Sequence, residues 1–202
     1  MTVPSKVVEV INQLMDSGFT RNGWIQVSVA EWPFMDTSSQ DVKGFRPGFT
    51  SLINPKKVKE LEIDFLNNMT SEQVFCWDIT FIQALTAKQV SALNETTFSF
   101  FKDSQIRALT IEQMRSVRAE QMNALTPKQR GYFRKNQVQA LDPSQLLSLD
   151  SETTTALYDQ FSVRQLFKLS LEQTRQVLNT LGASTLAQSL AQKTRKFLDL
   201  LP

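Results

Sequence analysis

Apolar residues recur at every eighth position through most of this chain. A first column is apolar throughout: Ile53, Leu61, Met69, Trp77, Leu85, Leu93, Phe101, Leu109, Val117, Leu125, Phe133, Leu141, Leu149 and Leu157. A second column, which starts at Val58 and also advances by eight to Thr154, is apolar except at Arg130 and Thr154. An uninterrupted α-helix turns about 800° in eight residues, so its apolar stripe would drift by about 80° per repeat. The pattern therefore predicts helices that restart at every octad or at every second octad.

A polar signature marks the expected start of these helices. A column of glutamines accompanies the apolar columns: Gln73, Gln89, Gln105, Gln113, Gln121, Gln129, Gln137 and Gln145. Three positions earlier stands a residue that can cap a helix, in the pairs Thr86–Gln89, Thr110–Gln113, Thr126–Gln129 and Asp142–Gln145. This spacing predicts capping boxes, in which each side chain binds an unpaired N–H of the first turn. Pro55, Pro127 and Pro143 follow directly after such caps, at a position that suits proline.

A column of small residues precedes the first apolar column. It comprises Cys76, Ala84, Ala92, Ala108, Ser116, Ala124, Ala140, Ser148 and Ala156. Small side chains would let successive turns approach closely, so we expect this column to be buried. Cys76, the single cysteine, is interpreted as a buried structural thiol.

The chain is predicted to be an all-α solenoid of short capped helices, because helices of about one and a half turns are not stable alone and must stack. The repeat covers residues 53–181 and shifts by four after Leu157, resuming with Ser162–Gln165 and Ser170–Gln173. Residues 182–202 are predicted to form a C-terminal capping helix.

Residues 1–52 lack the repeat. They are predicted to be a mixed N-terminal cap or a small separate module, and the cap is favoured because so short a segment buries little core. Within it, residues 3–15 are predicted to form a helix, residues 24–29 a short strand, and residues 35–52 a loop.

Composition limits the chemistry that is available. The chain has no histidine, one cysteine and a net charge of +2, which excludes histidine-dependent catalysis and an internal disulfide. We therefore expect no enzymatic activity, no cofactor and no metal. The cluster Glu60, Glu62 and Asp64 is interpreted as solvated surface; the alternative is an enzyme in which the N-terminal module completes a carboxylate site with Asp64. The glycosylation sequons at residues 68–70 and 94–96 are interpreted as fortuitous.

Positive charge is concentrated between residues 101 and 140. The segment contains three acidic residues, Asp103, Glu112 and Glu120, and eight basic ones, so its charge is +5. The basic residues are Lys102, Arg107, Arg115, Arg118, Lys128, Arg130, Arg134 and Lys135. Lys102, Arg118 and Arg134 replace the cap residue at every second octad, which predicts a ladder on one face. The candidate binding residues are these three with Arg107, Arg115 and Lys135. The alternative is a solvated edge whose charges complement helix C-termini.

Two stretches, residues 83–93 and 121–129, carry the Ala-Leu-Thr-x-x-Gln pattern. They resemble the repeats of large bacterial surface and secreted proteins and the short superhelical repeats of the mesothelin and stereocilin family, over roughly residues 53–177. Residues 125–129 also resemble the start of a repeat in TAL effectors. Those repeats are several times longer than an octad, however, so this likeness is attributed to shared capping and no DNA-reading residue is carried over.

The sequence thus predicts a non-enzymatic protein-interaction repeat module with an unidentified, acidic protein partner. The resemblance implies a bacterial exported effector or surface protein. The alternative is binding of nucleic acid or another polyanion through the basic ladder at residues 102–135. No membrane span and no signal peptide are recognised, so we expect a cytoplasmic protein or export by a route independent of a signal peptide.

Overall fold

The computed structural model describes residues 12, 13, 15, 16 and 41–181. All regular secondary structure among these residues is helical, with no strand. Asn12, Gln13, Met15 and Asp16 are helical; the rest of the helix predicted at residues 3–15, the strand predicted at 24–29 and the capping helix predicted at 182–202 lie outside the described residues. The chain divides into two compact units, Met1–Leu109 and Thr110–Pro202.

Between residues 41 and 109, the first unit contains three 3-10 helices and six short α-helices. The 3-10 helices are Asp41–Gly44, Phe49–Leu52 and Pro55–Glu60. The α-helices are α1 (Ile63–Asn67), α2 (Ser71–Phe75), α3 (Ile79–Ala84), α4 (Ala87–Ala92), α5 (Glu95–Ser99) and α6 (Asp103–Ala108).

The second unit continues with helices of the same size. They are α7 (Ile111–Met114), α8 (Ala119–Asn123), α9 (Pro127–Arg130), α10 (Lys135–Gln139), α11 (Pro143–Leu147), α12 (Ser151–Leu157), a 3-10 turn (Tyr158–Gln160), α13 (Val163–Leu166) and α14 (Leu171–Leu181).

The predicted caps are confirmed. In all four predicted pairs the cap side chain accepts from the glutamine N–H while the glutamine Oε1 accepts from the cap N–H. In the Thr86–Gln89 box these two hydrogen bonds measure 3.1 and 2.9 Å. Pro55, Pro127 and Pro143 lie in the first turn of their helices, as predicted. These four helices therefore start where their caps dictate.

Both apolar columns are buried at every position. Every member of the first column is buried, and so is every member of the second, including the polar Arg130 and Thr154. Aromatic residues thicken the core of the first unit, where Trp77 lies 4.9 Å from Phe81 and 5.7 Å from Phe101 between ring centroids. The octad spacing thus identifies the core residues directly.

The glutamines have a second contact that capping alone does not require. Gln73 Nε2 donates to the carbonyls of Val42 and Phe45 at 2.8 and 2.6 Å, which lie 31 and 28 residues earlier. Three further glutamines donate across the same separations: Gln89 to Val58 and Leu61, Gln105 to Val74 and Trp77, and Gln145 to Met114 and Val117. One side chain therefore ties the start of one helix to the end of an earlier one.

The predicted shift by four after Leu157 is visible in these hydrogen bonds. Gln165 donates to Val138 and Leu141, and Gln173 donates to Leu146 and Leu149, in both cases 27 and 24 residues earlier. Both separations are four shorter than those of the preceding glutamines. The hydroxyls of Ser162 and Ser170 accept from the backbone N–H groups of Gln165 and Gln173, so both serines cap their helices as predicted.

Asparagine takes over where the glutamine column is interrupted by threonine. At Thr97 the cap is Asn94, and its N–H donates to Asn67 Oδ1 at 2.8 Å while Asn67 Nδ2 donates to the Ala92 carbonyl at 3.1 Å. The second unit repeats this arrangement around Thr153, where Asn123 accepts from Asp150 N–H and donates to the Ser148 carbonyl. The asparagine supplies from outside the helix the acceptor that the missing glutamine would have provided.

Residues 35–52 were predicted to be loop. Residues 35–40 lie outside the described residues, and for residues 41–52 the prediction is wrong. Residues 41–52 form two 3-10 helices and the turn between them, and Val42, Phe45, Phe49 and Leu52 are buried. Gly48 begins the second of them with φ +90, a conformation that strains any residue with a Cβ. Short 3-10 turns leave no apolar periodicity for a sequence pattern to detect.

The small-residue column is only partly buried, contrary to expectation. Ala108 is buried, but Cys76, Ala92, Ala124, Ser148 and Ala156 are exposed. The interpretation of Cys76 as a buried thiol is therefore wrong. Cys76 ends α2 with helical dihedral angles, and its neighbour Trp77 points into the core. Adjacent positions of such a turn do not share a face, so burial of Trp77 leaves Cys76 in solvent.

Helices pack on helices that lie three octads away in the same unit. The 3-10 helix Pro55–Glu60 contacts α3, and α3 contacts α6. In the second unit α7 contacts α10, and α9 contacts α12. These contacts bury the apolar columns between helices that could not stand alone.

Substitution of a core residue should cost far more than substitution of the cap beside it. Leu109 is 0% exposed, so Leu109→Asp buries a carboxylate and should lower the free energy of unfolding by about 3 kcal/mol or more. Thr110→Ala should lower it by about 1 kcal/mol, the usual effect of a lost cap. Urea denaturation followed by circular dichroism measures both, and equally small losses would contradict the burial of Leu109.

A bridging glutamine should matter more than a cap. Gln105→Ala removes the partner of the Lys102 N–H and of the Trp77 carbonyl, whereas the Val74 carbonyl still accepts from the Trp77 N–H at 3.0 Å. Each buried backbone group left unpaired costs about 1–3 kcal/mol, so the loss should reach about 3 kcal/mol. The control is Gln83→Ala at an exposed position of α3, which should change stability by less than about 0.5 kcal/mol. A similar loss in both variants would show that the bridge contributes nothing.

Candidate binding site

Three basic residues occupy helix caps without being able to cap. Lys102, Arg118 and Arg134 precede α6, α8 and α10, and their N–H groups donate to Oε1 of Gln105, Gln121 and Gln137 at 2.9, 2.7 and 2.7 Å. An ammonium or guanidinium group offers no acceptor for the returning N–H. The N–H groups of Gln105 and Gln137 donate instead to the carbonyls of Lys102 and Arg134.

The structure differentiates these three residues. Lys102 is half-buried, and its Nζ lies 4.3 Å from the centre of the Phe75 ring, a cation–π contact. Arg118 and Arg134 are exposed. Lys102 belongs to the first unit, whereas Arg118 and Arg134 belong to the second. The ladder of all three residues on one face therefore stays a prediction.

Two other basic residues of the segment are engaged within the protein. Arg107 forms an i,i+4 ion pair with Asp103 on α6. Arg130 is 3% exposed and occupies a position of the second apolar column. Its Nη2 donates to the Asn123 carbonyl at 2.9 Å, and its Nη1 lies 2.8 Å from Glu152 Oε1, within ion-pair distance but without hydrogen-bond geometry. The segment charge of +5 therefore overstates the positive charge offered to a partner.

Arg115 and Arg118 line one cleft of about 280 Å³ in the second unit. The cleft lies where α7 ends and α8 begins, beside α11, and it also contains Glu120 and the hydroxyls of Ser116, Ser144 and Ser148. The structure thus brings together two of the six predicted binding residues. Arg134, Lys135 and Lys128 are exposed and are not among the residues that line this cleft.

Several polar groups of the cleft already have partners. Ser144 Oγ donates to Asp142 Oδ1 at 2.7 Å, and Gln145 Nε2 donates to the Met114 and Val117 carbonyls. The Gln145 backbone N–H, together with the Ser144 hydroxyl, holds the pKa of Asp142 below its ordinary value. Among the residues that line the cleft, the Arg115 guanidinium and the hydroxyls of Ser116 and Ser148 are therefore the donors for an anion.

The acidic cluster and the sequons occupy different surroundings. Glu60, Glu62 and Asp64 are exposed, and Glu60 pairs with Lys57 at 2.9 Å. The sequon asparagines are half-buried: Asn94 Oδ1 accepts from the Thr97 N–H and Asn68 Nδ2 donates to the Asp64 carbonyl. Their amides thus serve local structure.

Sequence reasoning missed the bridging role of the glutamines and of Asn67 and Asn123. The glutamine spacing was fully accounted for by capping, so nothing in it required a second partner. A usable signal existed for the asparagines, because each stands at the same separation before a threonine that interrupts the glutamine column, Thr97 and Thr153.

Arg130 should behave as a core residue, not as a binding residue. Arg130→Met keeps the long apolar stem and removes a buried charge, so the free energy of unfolding should change by less than about 1 kcal/mol. Arg130→Ala leaves a cavity and should lower it by about 2–4 kcal/mol. Thermal and urea denaturation of both variants measure the difference. An Arg130→Met loss as large as that of Arg130→Ala would show that the charge contacts themselves are required.

The part of the chain that the structure describes contains no helix long and apolar enough to cross a bilayer. Comparison with protein-family models, with curated proteins and with solved structures finds no match to this chain.

Proposed function

We propose that the chain is a non-enzymatic protein-interaction module whose partner presents an acidic surface. The single observation that carries the proposal is the placement of Lys102, Arg118 and Arg134 at caps that they cannot fill. Each forgoes about 1 kcal/mol of capping energy, and each puts a positive charge at the end of a helix where the dipole disfavours it. Positions that break a local rule are candidates for function, although Lys102 recovers part of this energy through its contact with the Phe75 ring.

We further propose that each unit is a segment of α-solenoid built on an octad repeat. The supporting observations are the restart of a helix at nearly every octad, the packing of helices three octads apart, and the glutamine bridges that recur at constant separations. In such an architecture the backbone and the apolar columns are used for stacking. Variation between repeats then falls on exposed side chains, which become the binding surface.

The exposed cations of the second unit supply the proposed surface. Arg115, Arg118, Lys128, Arg134 and Lys135 are exposed, and the nearby acidic residues Glu112 and Glu120 do not balance them. A surface of this kind raises the rate of encounter with an acidic protein and discriminates against basic ones.

The second candidate function is binding of nucleic acid or another polyanion through the same cations. The recurrence of a basic cap at every second octad favours it. Binding to phosphates would weaken steeply with salt because counterions are released. Fluorescence anisotropy with duplex and single-stranded oligonucleotides at low and physiological salt tests this candidate, and a flat titration at low salt removes it.

The resemblance of residues 83–93 and 121–129 to bacterial surface and secreted repeats extends the proposal to a bacterial exported effector or surface protein. Fractionation of the source cells, with the chain detected by antibody in medium, envelope and cytosol, tests this extension.

Reversal of the three cap charges should abolish partner binding and leave the fold nearly intact. In the Lys102→Glu, Arg118→Glu, Arg134→Glu variant, each surface change should alter stability by about 0.5 kcal/mol or less, with up to about 1 kcal/mol more for the Lys102–Phe75 contact. Quantitative mass spectrometry of proteins cross-linked to the tagged chain in its source cells measures binding.

The matched control reverses three exposed lysines of the first unit, Lys56, Lys59 and Lys88, and changes the net charge equally. Acidic partners should be captured by the wild type and by this control but not by the cap variant. Identical capture by all three would contradict the proposal, as would an absence of partners alongside a measured turnover.

A further inference from the structure

A second cleft lies in the first unit and contains none of the basic residues considered above. Its volume is about 400 Å³, within the range of small-molecule sites. It is bounded by the turn from α1 to α2 and by the start of α5. Its lining includes Lys43, Asn67, Asn68, Asn94, Thr96 and Phe100.

The walls of this cleft are held by hydrogen bonds from the asparagines. Asn67 joins its two sides, because it donates to the Ala92 carbonyl at 3.1 Å and accepts from the Asn94 N–H at 2.8 Å. Asn68 Nδ2 is fixed on the Asp64 carbonyl at 2.7 Å. A site with its polar groups already oriented loses little conformational entropy when a ligand binds.

Several polar atoms remain available after these contacts. Asn94 Oδ1 accepts from the Thr97 N–H at 2.7 Å, which leaves the Nδ2 group to donate. Asn68 keeps its Oδ1 as an acceptor, and the Thr96 hydroxyl can do either. Among the residues that line the cleft, Lys43 carries the one formal charge, and it is exposed.

The remaining wall is aromatic. The Phe100 ring is half-buried and lines the cleft beside these polar groups. A ligand that fits must therefore present hydroxyl or carbonyl groups on its edge and an apolar face to the ring. A sugar ring combines these features, because its hydroxyls both donate and accept while its C–H groups form an apolar face.

We propose that this cleft binds a saccharide unit, with Asn94 Nδ2, Asn68 Oδ1 and Thr96 Oγ1 binding hydroxyls and Phe100 packing on the ring face. Lys43 supplies a cation and no carboxylate opposes it in the lining, so an acidic sugar is preferred over a neutral one. This binding activity is independent of the acidic protein partner proposed above.

Saturation-transfer NMR on the full chain, followed by titration monitored through amide chemical shifts, tests the proposal with glucuronate, N-acetylglucosamine and galactose. All three should bind, glucuronate most tightly. Asn94→Asp keeps a capping acceptor for the Thr97 N–H and removes the amide donor, so affinity should fall about tenfold or more. The fall should be largest for glucuronate, because the new carboxylate repels it.

Two further variants separate the recognition elements. Lys43→Gln should weaken glucuronate alone and abolish its preference over galactose. Phe100→Ala should weaken all three sugars, whereas the control Phe75→Ala, at an exposed ring outside this cleft, should weaken none.

An absence of saturation transfer from all three sugars at millimolar concentration would overturn the proposal. Equal affinities in wild type and the Asn94→Asp variant would also overturn it, by placing the binding elsewhere. Neither result affects the proposed acidic protein partner, whose capture depends on other residues.

Discussion

The unmet hydrogen bonds of very short helices are the constraint on which this structure depends. An α-helix leaves its first four N–H groups and its last four carbonyls without internal partners. Helices of four to seven residues, such as α1 to α13, therefore satisfy almost none of their end groups by themselves. Burying such ends without partners would cost several kilocalories per mole for each helix.

Glutamine meets this constraint because its amide has an acceptor and two donor hydrogens on one group. The Gln89 side-chain oxygen accepts from the cap N–H of its own helix, and the side-chain nitrogen donates to two carbonyls at the end of an earlier helix. The side chain is 5% exposed, so these bonds form away from competing water. Helix starts and helix ends are thereby satisfied by one residue type at one spacing.

The exceptions in the column follow the same logic. Thr97 and Thr153 are too short to bridge, and Asn67 and Asn123 bind the cap N–H from a preceding helix. After Leu157 both described bridges are shorter by four positions, which keeps each glutamine opposite the end of a helix. The hydrogen bonds between helices are thus preserved where threonine replaces glutamine and where the repeat shifts by four residues.

Residues that are used neither for packing nor for bridging are the candidates for function. The apolar columns are internal, as are the described bridging glutamines apart from the half-buried Gln145, and Arg130 is also buried. Among the described residues, the surfaces left for partners include the exposed cations of the second unit and the two polar clefts. The basic caps and the asparagine-lined cleft use different residues, and the two proposed interactions can be tested separately.

The sequence by itself determined the helical class, the two buried columns and the helix starts at the capped positions, because the period of apolar residues and the spacing of capping residues are local patterns. It also located the shift after Leu157. Tertiary structure alone decided which carbonyls the glutamines reach, because partners 24 to 31 residues apart leave no mark on local spacing. It likewise exposed Cys76, buried Arg130, joined Arg115 with Arg118 in a cleft, and folded residues 41–52 against Gln73. Each of these outcomes depends on which helices come into contact, and a contact stabilises the fold only when both of its helices are in place.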